Sequence, residues 1–212
     1  MTTLASPSLH LIGVALSALV LASPAAAERA DRTKPLNVEA DQPGKIDLLK
    51  QFVLFTGNVV VTKGTMVIRA ARIEVRETAD GYHTAVAIGA PGRPATFRQK
   101  RDGVDEYIEG EAERLEYDGK ADTIRFVTNA SVRRLRGSAV ADELAGNLVS
   151  YDSVSEVFNV SGGATPTASN PGGRVRAVLT PREGTAAAAE AARAASAPAP
   201  QLKLTPALGD KP

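Results

Sequence analysis

Three segments of this chain repeat one strand unit, and in each the apolar positions change face at the same place. Ile68 and Ala70 give way to Ile73 and Val75, Gly110 and Ala112 to Leu115 and Tyr117, and Leu144 and Gly146 to Val149 and Tyr151. Side chains of a strand alternate faces with period two, so moving the apolar set from even to odd positions requires a bulge or a corner. A strand that stays apolar-inward through a corner belongs to a curved, rolled β structure.

A second repeat supports the first. Phe55-Thr56-Gly57-Asn58-Val59-Val60-Val61 is echoed by Phe126-Val127-Thr128-Asn129-Ala130-Ser131-Val132, and more loosely by Phe158-Asn159-Val160-Ser161-Gly162. Phe126 and Phe158 are 32 positions apart, and 32 positions after Phe55 lies the weaker copy Ala87-Ile88-Gly89. Each unit reads as a strand, a turn, a cornered strand and a return, and such units bury their apolar faces only against neighbours. No stretch of the body carries a 3.6-residue apolar stripe, and its short Val/Ile/Thr runs are broken by Gly, Asp and Asn. The opposite face is charged, with Arg72, Glu74 and Arg76 alternating with Ile73 and Val75, and Glu109, Glu111 and Glu113 flanking Gly110 and Ala112. Apolar-in, charged-out patterning describes a sheet in water; a membrane barrel reverses it.

Composition removes most chemistries. The chain has no Cys, so disulfides, thiolate metal sites and cysteine nucleophiles are excluded together. Only His10 and His83 carry imidazoles, too few in the body for a two-histidine metal site, and His83 reads as a surface residue of a turn. No catalytic residues and no cofactor are indicated. A net charge of +1 offers no field for a polyanion, and 4% aromatic residues leave few stacking platforms, so nucleic acid is not an expected partner.

Residues 1–27 read as a secretory signal peptide with a short apolar core, Leu9 to Leu21, and cleavage after Ala27 at Ala25-Ala26-Ala27. Met1 to Ser8 lacks the usual basic residue, and an uncleaved anchor is the alternative. A lead-in (28–35) precedes the β body (36–181), and the Ala/Pro-rich remainder (182–212) is expected to be a disordered tail. Arg133, Arg134 and Arg136 form a dense basic cluster, expected at a solvated strand edge.

The body resembles the LptA family of periplasmic lipopolysaccharide-transport proteins of Gram-negative bacteria, the OstA-like jellyrolls. The resemblance rests on Pro35-Leu36-Asn37-Val38-Glu39-Ala40-Asp41, on Phe55 to Gly64, on Gly92 to Gln99, on Ile108 to Ala112, on Thr128-Asn129-Ala130 and on Leu179-Thr180-Pro181. It implies an all-β, twisted, slightly open antiparallel jellyroll that shields the acyl chains of lipopolysaccharide during outer-membrane biogenesis and catalyses nothing. It further implies a periplasmic location, end-to-end self-association, and a bridge from LptC at the inner membrane to LptD at the outer membrane. Gly119 stands where the family has a bulky residue near lipid, and Arg29 and Arg32 make the lead-in more basic than the family pattern.

The expected lipid-contacting residues are Leu36, Val38, Phe55, Val59, Val61, Ile68, Ile73, Phe97, Leu115, Tyr117, Ile124 and Phe126. Leu36, Val38, Phe97 and Tyr117 match family contact positions; so does Arg76, whose alternation puts it on the outer face. Each lining residue admits two readings, core packing or lipid contact, and a groove that closes when empty permits both. The strands around Leu36 to Ala40, Phe158, and Arg174 to Leu179 are the expected joining edges. Three other readings remain at this level: a glycan-cleaving enzyme on repeated strands, a structural β protein without ligand, and an LptC-like anchored component.

Overall fold

The computed structural model describes residues 29–162 and 173–196. Its strands are β1 (Asn37–Glu39), β2 (Lys45–Asp47), β3 (Phe52–Lys63), β4 (Met66–Glu77), β5 (His83–Ile88), β6 (Ala95–Lys100), β7 (Glu106–Ala112), β8 (Arg114–Asp118), β9 (Thr123–Arg136), β10 (Ala139–Asp152), β11 (Val157–Ser161) and β12 (Arg176–Leu179). A 3-10 turn, Arg29–Thr33, precedes them and a helix α1, Ala186–Ser196, follows. All twelve strands join one antiparallel sheet.

The sheet is folded along a line that crosses the long strands near their middles. Before its corner β4 pairs with β6 through Val67–Arg69; after it, β4 pairs with β5 through Arg72–Glu77. β9 and β10 divide the same way, β9 between β7 and β8, and β10 between β12 and β11. The upper half-sheet therefore runs β1-β3-β4-β6-β7-β9-β10-β12, and the lower one β2-β3-β4-β5-β8-β9-β10-β11. The slips expected between Ala70 and Ile73, between Ala112 and Leu115 and between Gly146 and Val149 coincide with this fold line: β7 stops at Ala112, β8 starts at Arg114, and β9 and β10 lose register between Gly146 and Leu148.

Consecutive left-handed residues make the companion corners. Gly57 (φ 79°) and Asn58 (φ 45°) turn β3, while Thr128 (φ 64°) and Asn129 (φ 56°) turn β9. Asparagine tolerates this region better than most side chains, which explains why Gly57-Asn58 and Thr128-Asn129 recur in the repeated motif. A Cβ on Gly89 would lie 2.7 Å from the Ala95 nitrogen and 2.7 Å from the Arg93 oxygen, so the β5–β6 corner depends on glycine.

The core fills the space between the half-sheets. Phe126 meets Phe97 edge-on at 5.7 Å and covers Gly110, where a Cβ would come within 2.3 Å of its ring. One expectation is refined within the described part of the tail, and one changes. Ala186–Ser196 is helical: alanine has the highest helix propensity, and the Thr185 hydroxyl oxygen accepts the Ala188 N–H at 3.3 Å. None of its side chains is buried, so nothing docks it. The arginine cluster is not at an edge, because β9 lies between β7 and β10. The signal peptide, with cleavage at Ala27, residues 163–172 of the β body and the tail beyond Ser196 lie outside the described residues. Among the described residues no helix is long and apolar enough to cross a membrane.

Candidate lipid groove and its mouth

The folded sheet brings all twelve expected lining residues to one interior. Val59, Val61, Ile68, Ile73, Phe97, Leu115, Tyr117, Ile124 and Phe126 are buried, and Leu36, Val38 and Phe55 are half-buried against them. Each comes from alternate positions of its strand, on the face turned toward the opposite half-sheet. The same interior holds residues outside that set: Met66, Val75, Ile108, Val132, Val149 and Tyr151. Val132, Val149 and Tyr151 were legible from the same alternation. Ile108 continues the series of Gly110 and Ala112 by the same alternation, although its neighbours Glu106, Tyr107 and Glu109 make the signal weak.

The interior is closed in its middle and opens at both ends. At the first end a cavity of about 180 Å³ is lined by Ile46, Leu48, Val53 and Val75 among others. At the second, Val132, Leu144, Phe158 and Leu179 line about 280 Å³ together with Arg134 and Asp142. Phe158 stacks on Tyr151 with ring centroids 4.5 Å apart. Apolar side chains stand in solvent at both ends: Leu48 and Leu49 are 85% and 99% exposed, and Leu179 is 72% exposed.

The two long sides differ. At the fold line, backbone bonds close the structure: Asp41 N–H to Gly57 O at 2.9 Å, Gly89 N–H to Glu113 O at 2.9 Å, and Glu113 N–H to Thr128 O at 3.0 Å. Asn58 Nδ2 adds a bond to Asp41 Oδ2 at 2.6 Å, and Asn129 Nδ2 one to Glu113 Oε1 at 2.5 Å. The opposite side, where the strand tips of the two halves meet, is a mouth. There the inner faces end in polar groups, and side-chain bonds reach between the halves. Lys63 Nζ of β3 donates to the Tyr117 hydroxyl of β8 at 3.2 Å. Arg101, after β6, holds Glu156, before β11, at 2.5 and 3.1 Å. The lead-in turn straddles the mouth between them. Asp31 bonds Thr65 and Gln99 of the upper half; Arg32 Nη2 donates to Lys120 O of the lower half at 2.5 Å and its guanidinium sits 5.2 Å from the Tyr82 ring.

Burial sets the electrostatics of this rim. Lys63 is only 4% exposed, and burial pulls its ammonium below the usual lysine range, against the opposing charge of Asp122 and Asp31. Burial also raises the Tyr117 hydroxyl well above the usual phenol range and pushes Tyr151 up to about 12. Near the second end of the mouth, Arg134 donates to Asp142 and Glu106, Arg136 also donates to Glu106, and Arg101 joins them. Burial would raise the Glu106 carboxyl, but hydrogen bonds from Arg134, Arg136 and Arg101 overcome it and hold the group at about 2. Two members of the arginine cluster thus belong to the rim, on the face shared with Val132 and Ile108, while Arg133 faces out toward Glu109. Arg76 also faces out, its guanidinium 4.5 Å from the Phe52 ring. At Gly119, a Cβ would lie 2.7 Å from the His83 oxygen and 3.3 Å from the Tyr117 ring, so this backbone excludes a larger residue there. Among the described residues no cluster of three His, Asp or Glu is arranged for a metal.

The family model described as "LptA/(LptD N-terminal domain) LPS transport protein" matches residues 37–157. The chain belongs to this family. Its relatives include the lipopolysaccharide export system protein LptA of Haemophilus influenzae, 29% identical over 79% of this chain and 90% of that one. LptA of Escherichia coli K12 is 32% identical over 65% of this chain and 72% of its own. The crystal structure of LptH, the LptA-homologous periplasmic component of the lipopolysaccharide transport device of Pseudomonas aeruginosa, superposes with a TM-score of 0.61 at 20% identity. That match covers 72% of this chain and 99% of LptH, and it bears out the antiparallel jellyroll. This LptA-like chain is therefore a lipopolysaccharide-transport family member whose matched residues run from β1 to the first residue of β11.

Proposed function

We propose that this protein is a periplasmic carrier that shields the acyl chains of lipopolysaccharide between its half-sheets and extends its trough by joining further copies and partners at its ends. The observation that carries this reading is the continuous apolar interior, bounded by a backbone hinge on one side and side-chain contacts on the other, and open at both ends. Each methylene exposed to water costs about 0.8 kcal/mol, so a multi-chain lipid crosses an aqueous space only under cover of this kind. Aliphatic residues dominate the lining, which allows the halves to part without breaking aromatic stacks at most positions. We read the chain as a carrier rather than an enzyme.

The sheet edges supply the contacts beyond one molecule. β1 and β2 expose unpaired backbone at the first end, β11 and β12 at the second, and exposed apolar residues stand beside both. Strand addition at such edges gives main-chain hydrogen bonds, the means by which an LptC-like partner at the inner membrane, an LptD-like partner at the outer membrane, and further copies would dock. Asn37→Pro and Ala177→Pro each remove a backbone donor from one edge; both are expected to weaken self-association in sedimentation while leaving the monomer folded, and normal assembly would contradict the edge assignment. For the groove, photoreactive residues at Val38, Phe97 and Tyr117 should crosslink to lipopolysaccharide in cells, while one at Glu74, on the outer face, should not. No adduct from any of the three refutes the groove.

A further inference from the structure

The lead-in turn does more than span the mouth. Asp31 sits in a cradle: its Oδ1 accepts the Thr65 N–H at 2.8 Å, and its Oδ2 accepts the Thr65 hydroxyl at 2.5 Å and Gln99 Nε2–H at 3.2 Å. The Thr65 hydroxyl itself accepts the Lys100 N–H at 3.3 Å, which directs its proton toward the carboxylate. Gly64, at φ 58°, forms the floor, where a Cβ would fall 1.8 Å from Asp31 Oδ1. Beside this floor lies Lys63, buried, bonded to the Tyr117 hydroxyl, with no ion pair to a carboxylate among the described residues. The N–H and hydroxyl of the turn, the Gln99 amide of β6 and the nearby Lys63 ammonium, which feels the charge of Asp31, together suit an anion.

We propose that Lys63-Gly64-Thr65 with Gln99 forms a phosphate site for the headgroup of the bound lipid, and that Asp31 fills it as an internal stand-in which the lipid displaces. The proposal rests on the reading of the interior as a lipid groove. The site lies where the apolar inner face of β3 and β4 ends, past Val61 and Met66, so a chain lying between the half-sheets brings its polar end there. A phosphate carries more charge and more acceptor oxygens than a carboxylate and satisfies Thr65, Gln99 and Lys63 together, whereas Asp31 reaches only the first two. The stand-in is also weakly seated. The buried Arg32 Nε has no hydrogen-bond partner, so displacing the turn releases an unsatisfied donor.

The test uses the mature chain, diphosphoryl lipid A, and the same lipid with both phosphates removed, with affinities measured by displacement of a fluorescent fatty acid. Wild type is expected to prefer the phosphorylated lipid about tenfold, the scale of one charge-assisted contact. Asp31→Ala should raise affinity for the phosphorylated lipid about tenfold and for the dephosphorylated one about twofold or less. Lys63→Met should abolish the preference; Gln99→Ala, at a half-buried position, should reduce it and serves if the lysine variant misfolds. If Asp31→Ala strengthens both lipids equally, Asp31 is only a latch and the phosphate site is refuted while the groove stands. If neither lipid binds any variant, the groove and the site fall together. If inorganic phosphate alone binds Asp31→Ala as tightly as the phosphorylated lipid does, the headgroup assignment is overturned in favour of free phosphate.

Discussion

The fold line and the mouth enclose the same interior by opposite means. At the fold line, continuous strands tie the halves covalently, and main-chain hydrogen bonds through Gly57, Gly89, Glu113 and Thr128 add to them without reliance on charge. At the mouth, the halves are held by Lys63 with Tyr117, Arg101 with Glu156, and a short lead-in turn. Exposed or half-exposed ion pairs contribute about 0–1 kcal/mol each, far less than severing a strand. A roll made this way has a hinge-like side and a clasp-like side, and a lipid entering it is expected to part the mouth and leave the fold line in place.

Changes at the hinge should therefore have the largest effect. Gly89→Val drives a side chain into the Ala95 and Arg93 backbone and should cost about 3 kcal/mol or more, read as a lowered urea midpoint. An unchanged midpoint would mean the corner is not where the structure is fixed. Next comes the arginine-bound carboxylate at the second end of the mouth. Glu106→Gln leaves Arg134, Arg136 and Arg101 short of a partner and should cost about 2 kcal/mol. Because the folded Glu106 carboxyl is held at about 2 against an ordinary 4.5, its stabilisation is complete above pH 4.5 and fades as pH falls toward 2. The variant should accordingly lose less stability than wild type on acidification through that window; parallel pH profiles would contradict it.

The clasp itself should yield the smallest change in global stability and the most local one. Glu156→Gln weakens the bond to Arg101, with an expected cost of about 0.5 kcal/mol. Amide hydrogen exchange should nonetheless quicken at the tips around Arg101–Glu106 and Asp152–Val157 while staying slow at Gly57–Val61 and Ala112–Leu115. Uniform acceleration on both sides would dissolve the distinction between hinge and clasp.

The hinge was largely legible in the sequence and the clasp was not. Alternation is a local signal, so the slips from Ala70 to Ile73 and from Ala112 to Leu115 located the fold line directly, and the same alternation found the lining residues. The mouth joins residues far apart in the chain, such as Asp31 with Gln99 and Arg101 with Glu156, and no spacing rule connects them. Lys63 ends the apolar series Val59-Val61 and reads locally as a hydrophilic turn residue; only the meeting of the two half-sheets buries it. The arginine cluster misled for the same reason: its strand is central, and two of its members point to a rim that exists only after folding. α1 differs again, since alanine-rich sequence forms a helix without any face to pack.

The hinge-and-clasp account is tested most directly by distances across the mouth. The native chain lacks cysteine, so spin labels at Gly103 and Val154, on the upper and lower tips, are free of background, and a control pair at Arg93 and Asn147 follows the fold line. Adding lipopolysaccharide should lengthen the first distance and leave the second unchanged. Equal change in both pairs, or no change across the mouth while lipid is bound, would contradict an interior that opens on one side.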